Sequence, residues 1–263
     1  MTNYKLIIRY DGTGYRGWEH QPGEDKTIQG KLETAVIRML NPSGVGSDSG
    51  DSLGSFEGEI PDIISAGRTD GGVSAEGMCA NVKLETSLSC IQIRDSLNRN
   101  LPDDICVISV EKAGERFHAR YNATGKTYRY TCYAGELKPV FERKYMYELG
   151  SMPDIAAMKK AAGLIIGEHD FTSFCGNPRM KKSCVRCVDS IDIEEKEGFI
   201  SFTYHGNGFL QYMVRIMTGT LIEVGLGKRT PESVNEVLEA KDRAAAGFTA
   251  PARGLKLVSV DYD

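Results

Sequence analysis

The chain is poor in the features that most often announce a function. No apolar run approaches the ~20 residues needed to cross a bilayer. The opening residues, MTNYKLIIRYDG, lack a basic region followed by a long apolar one, so no secretory leader is expected. There is no G-x-x-x-x-G-K-[ST] loop, and Gly12-Thr-Gly14-Tyr-Arg-Gly17 has glycines but no helix opening after it. The four histidines, His20, His118, His169 and His205, never pair as H-x-x-x-H, and no G-x-S-x-G elbow occurs. Zinc hydrolysis and serine hydrolysis therefore have no support. Seven cysteines are an odd number and are scattered along the chain, which favours reduced thiols in a cytoplasmic protein. Cys184-Val-Arg-Cys187, with Cys175 nine residues before it, is a single C-x-x-C. A structural zinc needs four ligands, and a fourth, such as Cys132 or His169, would have to come from elsewhere. A thioredoxin-like pair would want a strand-to-helix junction, whereas this one sits at the start of a strand. Ordinary thiols are the simpler reading. No metal and no organic cofactor is expected.

What the chain does contain is ordinary for a globular protein: 41% hydrophobic residues, 26% charged and 29 glycines in 263 residues. One large domain or two smaller ones could bury a core at this length. The net charge of −4 argues at first against a polyanion partner. Residues 43–62, however, hold Asp48, Asp51, Glu57, Glu59 and Asp62 with no Lys or Arg, and without them 31 acids face 32 bases. The acidity is local, and nucleic-acid binding depends on where charge sits more than on its total.

Tyr4–Tyr10 reads as a strand followed by turn pairs, and Ile28, Leu32, Val36 and Leu40 recur at helical spacing behind Thr27, a plausible N-cap. Residues 43–60 are rich in glycine, serine and acids and have little to bury, as expected of an exposed insertion. Strands are expected at 60–65, 78–85 and 105–110, with a helix at 91–101 closed by Pro102. After a loop at 114–122, a strand at 124–133 places Lys126, Tyr128, Tyr130 and Cys132 on one face and Arg129 on the other. A helix at 153–166, a hairpin at 188–205, helices at 208–224 and 231–241, and a strand at 255–262 complete the reading. The result is an α+β class protein in two lobes, 1–113 and 114–263, each with mainly antiparallel strands flanked by helices.

Basic and aromatic residues interleave in Arg116-Phe-His-Ala-Arg-Tyr121 and Lys126-Thr-Tyr-Arg-Tyr130, and Arg179-Met-Lys-Lys182 is a basic cluster. Cations answer phosphates and rings stack on unstacked bases, a combination suited to single-stranded or loop RNA. Core aromatics beside solvated lysines would give the same composition. Asp70, taken alone, is a turn residue.

Larger motifs decide between these readings. Ala66-Gly-Arg-Thr-Asp-Gly-Gly-Val-Ser-Ala75 resembles the A-G-R-T-D-x-G-V-H-[AG] signature of the TruA-type tRNA pseudouridine synthase family. Tyr10-Asp-Gly-Thr-Gly-Tyr-Arg-Gly-Trp18, Phe117-His-Ala-Arg-Tyr121, Lys126–Tyr130, Gly167-Glu-His-Asp-Phe-Thr-Ser-Phe174, Phe209-Leu-Gln-Tyr-Met-Val-Arg215 and Ala252-Arg-Gly-Leu255 resemble further family motifs, in family order. Two departures stand out: Ser74 takes the usual histidine position, and 43–60 reads as an added loop. The resemblance implies a two-lobed pseudouridine synthase fold and a cofactor-free isomerase acting on uridines at positions 38–40 in the tRNA anticodon stem-loop. It also implies a homodimer that binds RNA across both subunits. On the matching positions it implies Asp70 as the catalytic carboxylate, Arg68 as the base-flipping arginine and Tyr128 as the active-site tyrosine. Arg215 becomes the arginine paired with the carboxylate, and Leu255 a pocket-lining residue. Its RNA contacts fall on Phe117, His118, Ala119, Arg120 and Tyr121, and on Pro178, Arg179, Met180, Lys181 and Lys182.

Physical chemistry makes sense of that set. Isomerisation breaks the C1′–N1 bond, turns the uracil and forms a C1′–C5 bond, and an ionised carboxylate can attack the sugar or remove a sugar proton. A nearby guanidinium keeps the carboxylate ionised. A uridine in a stem must leave the stack, which costs a few kcal/mol, and an arginine two residues along a strand shares the carboxylate's face. Helical periodicity by itself would leave Arg215 at a solvent edge; only the resemblance turns it inward. Two rivals remain at this point: a non-catalytic RNA-binding or chaperone paralogue of the same fold, and a zinc-dependent RNA-modifying protein.

Overall fold

The run from Tyr4 to Tyr10 forms a strand because its alternate residues Tyr4, Leu6, Ile8 and Tyr10 all enter a core while Arg9 faces out. The computed structural model describes residues 1–21, 23–24, 26–41 and 61–263; the insertion expected at 43–60 lies outside the described residues. The chain divides into one unit of Met1–Ala123 with Asp263, and a second of Thr124–Tyr262.

In the first unit, β1 (Thr2–Tyr10) is followed by α1 (Ile28–Leu40), β2 (Ile64–Ser65), β3 (Ser74–Leu84), α2 (Cys90–Asn100) and β4 (Ile105–Lys112). β1 lies in the middle, antiparallel to β3 on one side and β4 on the other. Thr27 caps α1 as expected, its side chain accepting from the Gly30 N–H. Ile28, Leu32 and Val36 are buried along one stripe, each worth roughly 1.5–3 kcal/mol relative to exposure. Ser89 and Gln92 close a reciprocal capping box on α2. Two strand expectations change. The strand at 60–65 shrinks to the two residues of β2, with Pro61 unable to donate to a ladder. β3 begins four residues earlier than its apolar run, and Met78–Val82 are all buried, so it is covered on both faces rather than half-exposed.

The second unit contains β5 (Ala123–Tyr133), β6 (Tyr147–Glu148), α3 (Ile155–Ile165), β7 (Gly167–Asp170), β8 (Val185–Lys196), β9 (Phe199–Gly206), α4 (Met213–Gly225), α5 (Ser233–Ala240) and β10 (Leu255–Tyr262). Its strands run in the order β10-β5-β9-β8-β7, with β6 parallel beside β5. The β5–β9, β8–β9 and β7–β8 pairings are antiparallel. The class is α+β, as the sequence indicates. β7 was not expected, being short and polar. α4 starts at Met213 rather than Gly208, because Tyr212 adopts the left-handed conformation at φ 59°. Along α4 only Arg215 and Glu223 are not buried. Gly219 explains part of this: a Cβ there would lie 1.8 Å from the Phe248 carbonyl oxygen, so the chain passes directly over the helix. No described helix is long and apolar enough to cross a membrane.

Candidate active site

The turn that carries Arg68 and Asp70 is held from behind. Gly17 and Asp70 form an antiparallel bridge, and the Trp18 N–H donates to the Thr69 carbonyl at 3.0 Å. The first turn of α1 fastens the other side of that segment, Ile28 N–H donating to Gly17 and Gln29 N–H to Trp18. Thr69 points inward and its hydroxyl lies 2.8 Å from that of buried Tyr10. Arg68 is exposed and Asp70 half-buried, so the two share the outward face, as alternation requires. Gly17 sits at φ +117°, and a Cβ there would come within 2.8 Å of the Thr69 oxygen. Only glycine lets the two segments lie this close.

Ser74, in the position where the resemblance leads one to expect histidine, has a definite task. Its Oγ accepts from the Gly12 N–H at 3.0 Å, tying the turn after β1 to the start of β3. Tyr15, in the same turn, donates to Asp104 at 2.5 Å. Burial, reinforced by that carboxylate, pushes the Tyr15 hydroxyl well above the ordinary phenol range. The Arg68 guanidinium is itself engaged: Nη2 lies 2.5 Å from Glu19 Oε1.

The loop carrying Phe117, His118, Ala119, Arg120 and Tyr121 belongs to the first unit and hangs from two buried asparagines. Asn3 Nδ2 donates to the carbonyls of Gly114 and Phe117, at 3.0 and 2.9 Å. Asn81 Oδ1 accepts from the Ala119 N–H at 2.8 Å, and its amide group donates to Asn3 Oδ1. The His118 Nδ1 accepts from the Arg120 and Tyr121 N–H groups, and the rings of His118 and Tyr121 lie 4.2 Å apart. Arg116, Arg120 and Tyr121 point to solvent, while Ala119 is buried and Phe117 and His118 are intermediate. The sequence reading missed both anchors. The available signal was an asparagine inside the apolar run Met78-Cys-Ala-Asn-Val82, since a buried amide needs partners.

Tyr128, Arg215 and Leu255 lie in the second unit. Tyr128 is in mid-β5 opposite Tyr204 of β9, with its ring edge-on to Phe209 at 5.4 Å. Arg215 is turned inward, not at a solvent edge: its Nε donates to the Ala250 carbonyl at 2.7 Å, and the Ala250 N–H donates back to the Arg215 carbonyl. Its guanidinium stands 4.9 Å from the Tyr212 ring centre. Leu255, buried, opens β10 directly after the turn Ala252–Gly254. Tyr130 donates to the Pro251 carbonyl at 2.8 Å, and a Cβ on Gly254 would strike the Tyr130 ring at 2.6 Å. Burial pushes the Tyr130 hydroxyl far up, and the Arg215 charge opposes that. The segment from Ala250 to Leu255 thus joins Arg215, Tyr130 and Leu255 into one packed group.

Pro178, Arg179, Lys181 and Lys182 are exposed and Met180 is intermediate. Their loop is held by Asn177, which accepts from the Arg179 and Met180 N–H groups, and by the Gly176 N–H donating to Gln211. The preceding motif Gly167–Phe174 is a packing device. Asp170 caps Thr172 through both its N–H and hydroxyl, Phe171 and Phe174 are fully buried, and Ser173 donates to Val237. The Thr172 hydrogen bond, then that of Lys241, holds the Asp170 carboxyl below its usual range. Cys184 immediately precedes β8 and Cys187 lies within it, as expected of the C-x-x-C pair. All seven cysteines are free. Among the described residues, no three of His, Cys, Asp or Glu are grouped to hold a metal ion.

This geometry offers a carboxylate and a cation on one face of a rigid turn, and a buried ring and an inward guanidinium on a second scaffold. Known proteins resemble the chain along its whole length. The family model described as tRNA pseudouridine synthase matches residues 161–263. Over 262 residues, and all of both chains, the sequence is 44% identical to a tRNA pseudouridine synthase A of Bacillus sp. (strain KSM-64). It is 39% identical, over the same full length, to tRNA pseudouridine synthase A 2 of Bacillus anthracis. The corresponding identity to tRNA pseudouridine synthase A of Acetivibrio thermocellus is 38%.

Proposed function

Because the chain belongs to the tRNA pseudouridine synthase A family, we propose that it isomerises uridine to pseudouridine in the tRNA anticodon stem-loop, at positions 38–40, with Asp70 as the catalytic carboxylate. The reaction needs no net oxidant or co-reactant. The N1–C1′ bond breaks, the freed uracil turns, C5 bonds to C1′, the C5 proton leaves, and N1 gains a proton. Asp70 either attacks C1′ or takes a sugar proton, and in both cases it must be ionised. Arg215 is the cation assigned to keep it so, and Tyr128 supplies a flat surface for the turning base. The resemblance makes Leu255 a pocket-lining residue. Arg68 fills the space the uridine leaves in the stack.

The observation that carries this reading is the shared outward face of Arg68 and Asp70 on a turn locked through Thr69 and Tyr10. A turn residue with no further task needs neither the locked backing nor the arginine. RNA is gripped by the Phe117–Tyr121 and Pro178–Lys182 loops of a cytoplasmic homodimer, with each tRNA spanning both subunits. No metal or organic cofactor takes part, so activity survives EDTA and extensive dialysis.

The deciding experiment is Asp70→Asn, which keeps the side chain's size and removes its charge. Pseudouridine formation on a tRNA transcript should fall below detection. Affinity for the tRNA should change by less than about tenfold, or ~1.4 kcal/mol, because most of the grip is on phosphates. Continued turnover by this variant would overturn the assignment. Wild-type protein that binds tRNA but never forms pseudouridine would instead favour the non-catalytic paralogue.

A further inference from the structure

We propose that Glu19 is a specificity-determining residue: it holds the Arg68 guanidinium in the free enzyme and thereby sets how strongly the enzyme prefers a uridine already unpaired over one still in a stem. The proposal rests on the reading of Arg68 as the side chain that replaces the flipped base.

The Gly17–Asp70 bridge is antiparallel, and the Trp18 N–H reaches the Thr69 carbonyl. This register sets Gly17 against Asp70, Trp18 against Thr69 and Glu19 against Arg68. Opposed side chains in such a pair are nearest neighbours on their face. The two outward pairs are therefore unlike. Opposite Asp70 stands a glycine, which projects no side chain. Opposite Arg68 stands a carboxylate 2.5 Å from its Nη2.

Glu19 is also presented by a fixed segment. Trp18 before it accepts from Gln29 N–H. His20 after it is fastened to α1, its backbone N–H donating to Gln29 and its Nδ1 lying 2.7 Å from Glu33. The side chains of Arg68 and Glu19 remain 60% and 45% exposed, so entering RNA can reach the pair. For Arg68 to occupy a vacated stack, the ion pair has to open and leave Glu19 facing phosphates. A target that is already out of the stack makes no such demand. Glu19 thus taxes only the paired substrate, by an amount limited to that of an exposed pair, roughly two- to fivefold.

The test measures kcat/KM for wild type, Glu19→Gln, Arg68→Ala and the double variant on two anticodon stem-loops, one with the target uridine paired and one with it mismatched. Glu19→Gln should raise kcat/KM on the paired substrate by about two- to fivefold and leave the mismatched one within about 1.5-fold. The gain should vanish when Arg68 is alanine. Slowing on both substrates would mean that Glu19 orients Arg68 instead, and an equal gain with and without Arg68 would mean a general charge effect on RNA; either overturns the proposal. If Arg68→Ala shows no selective loss on the paired substrate, the reading of Arg68 fails and takes this proposal with it. If that loss is present but Glu19→Gln leaves the paired-to-mismatched ratio unchanged, only the role of Glu19 fails.

Discussion

The two units fix their irregular parts by different chemistry. In the first, the loop from Gly114 to Asn122 hangs from the neutral amides of Asn3 and Asn81, both almost wholly buried. In the second, the basic loop at 176–183 is held by Asn177 and at one end by Gln211, with its cations in solvent. Beside it the strand ends are clamped by charge, through Asp189, His205 and Asp261. Buried amides hold geometry independently of pH and salt. Exposed charges act at longer range and are screened and titrated. The first loop is therefore suited to preorganised contacts with RNA, and the second to drawing the polyanion in.

Breaking the first anchor should have the largest effect on this contrast. Asn81→Leu removes the acceptor that Asn81 Oδ1 offers the Ala119 N–H and the amide that donates to Asn3 Oδ1. Removing one partner of a buried hydrogen bond costs about 1–3 kcal/mol, which urea unfolding will report as a lower midpoint. Loss of preorganisation should also weaken tRNA binding by roughly three- to tenfold. Asn3→Leu should behave alike, and the double variant should lose less than the sum, since the two amides form one network. A destabilised protein with undiminished tRNA affinity would remove the Phe117–Tyr121 loop from the interface.

The second loop should respond in the opposite manner. Replacing Arg179, Lys181 and Lys182 with Ala should leave stability within ~0.5 kcal/mol, because these side chains are exposed. The slope of log K against log salt should fall by about 2–3, one counterion or slightly less for each lost phosphate contact. An unchanged slope would put the RNA elsewhere.

The contrast also shows where sequence reading reached its limit. The strand Tyr4–Tyr10, the cap at Thr27 and the strand Leu255–Tyr262 were legible because each rests on local periodicity or a local hydrogen bond. Alternation likewise put Arg68 and Asp70 on one face. Arg215 was misjudged from the helix pattern alone, because α4 is covered nearly all round and its Gly219 admits the chain at Phe248. The start of α4 was misplaced because one left-handed tyrosine stops the helix from extending backwards. Asn3, Asn81 and Glu19 were missed for a common reason. Their partners lie dozens of residues away, and nothing in the spacing of a single chain announces a contact of that range.

The smallest effect concerns the charged clamp, and it is the one that titrates. His205 Nδ1 lies 2.7 Å from Asp189 and Nε2 3.0 Å from Asp261. A bulge between Val188 and Ser190 brings Asp189 out of the β8 ladder, and Gly125 leaves the gap across which His205 meets Asp261. The hydrogen bond to Asp261, helped by Asp189, raises the His205 pKa above its ordinary value against a smaller opposing effect of burial. A raised folded-state value means that protonated His205 stabilises the fold fully below the unfolded value near ~6.5. That contribution is lost as pH rises through the higher folded value. Asp261→Asn should therefore lower unfolding free energy at pH 6 by up to about 1 kcal/mol, the range for a partly exposed pair. The deficit should shrink toward zero on the alkaline side, whereas the Asn81→Leu deficit should stay constant across the same range. Urea unfolding of both variants between pH 5.5 and 9, set against wild type, separates the two behaviours. A pH-independent Asp261→Asn deficit would mean that His205 holds the strand ends by packing, and the contrast between the units would then lie in geometry rather than charge.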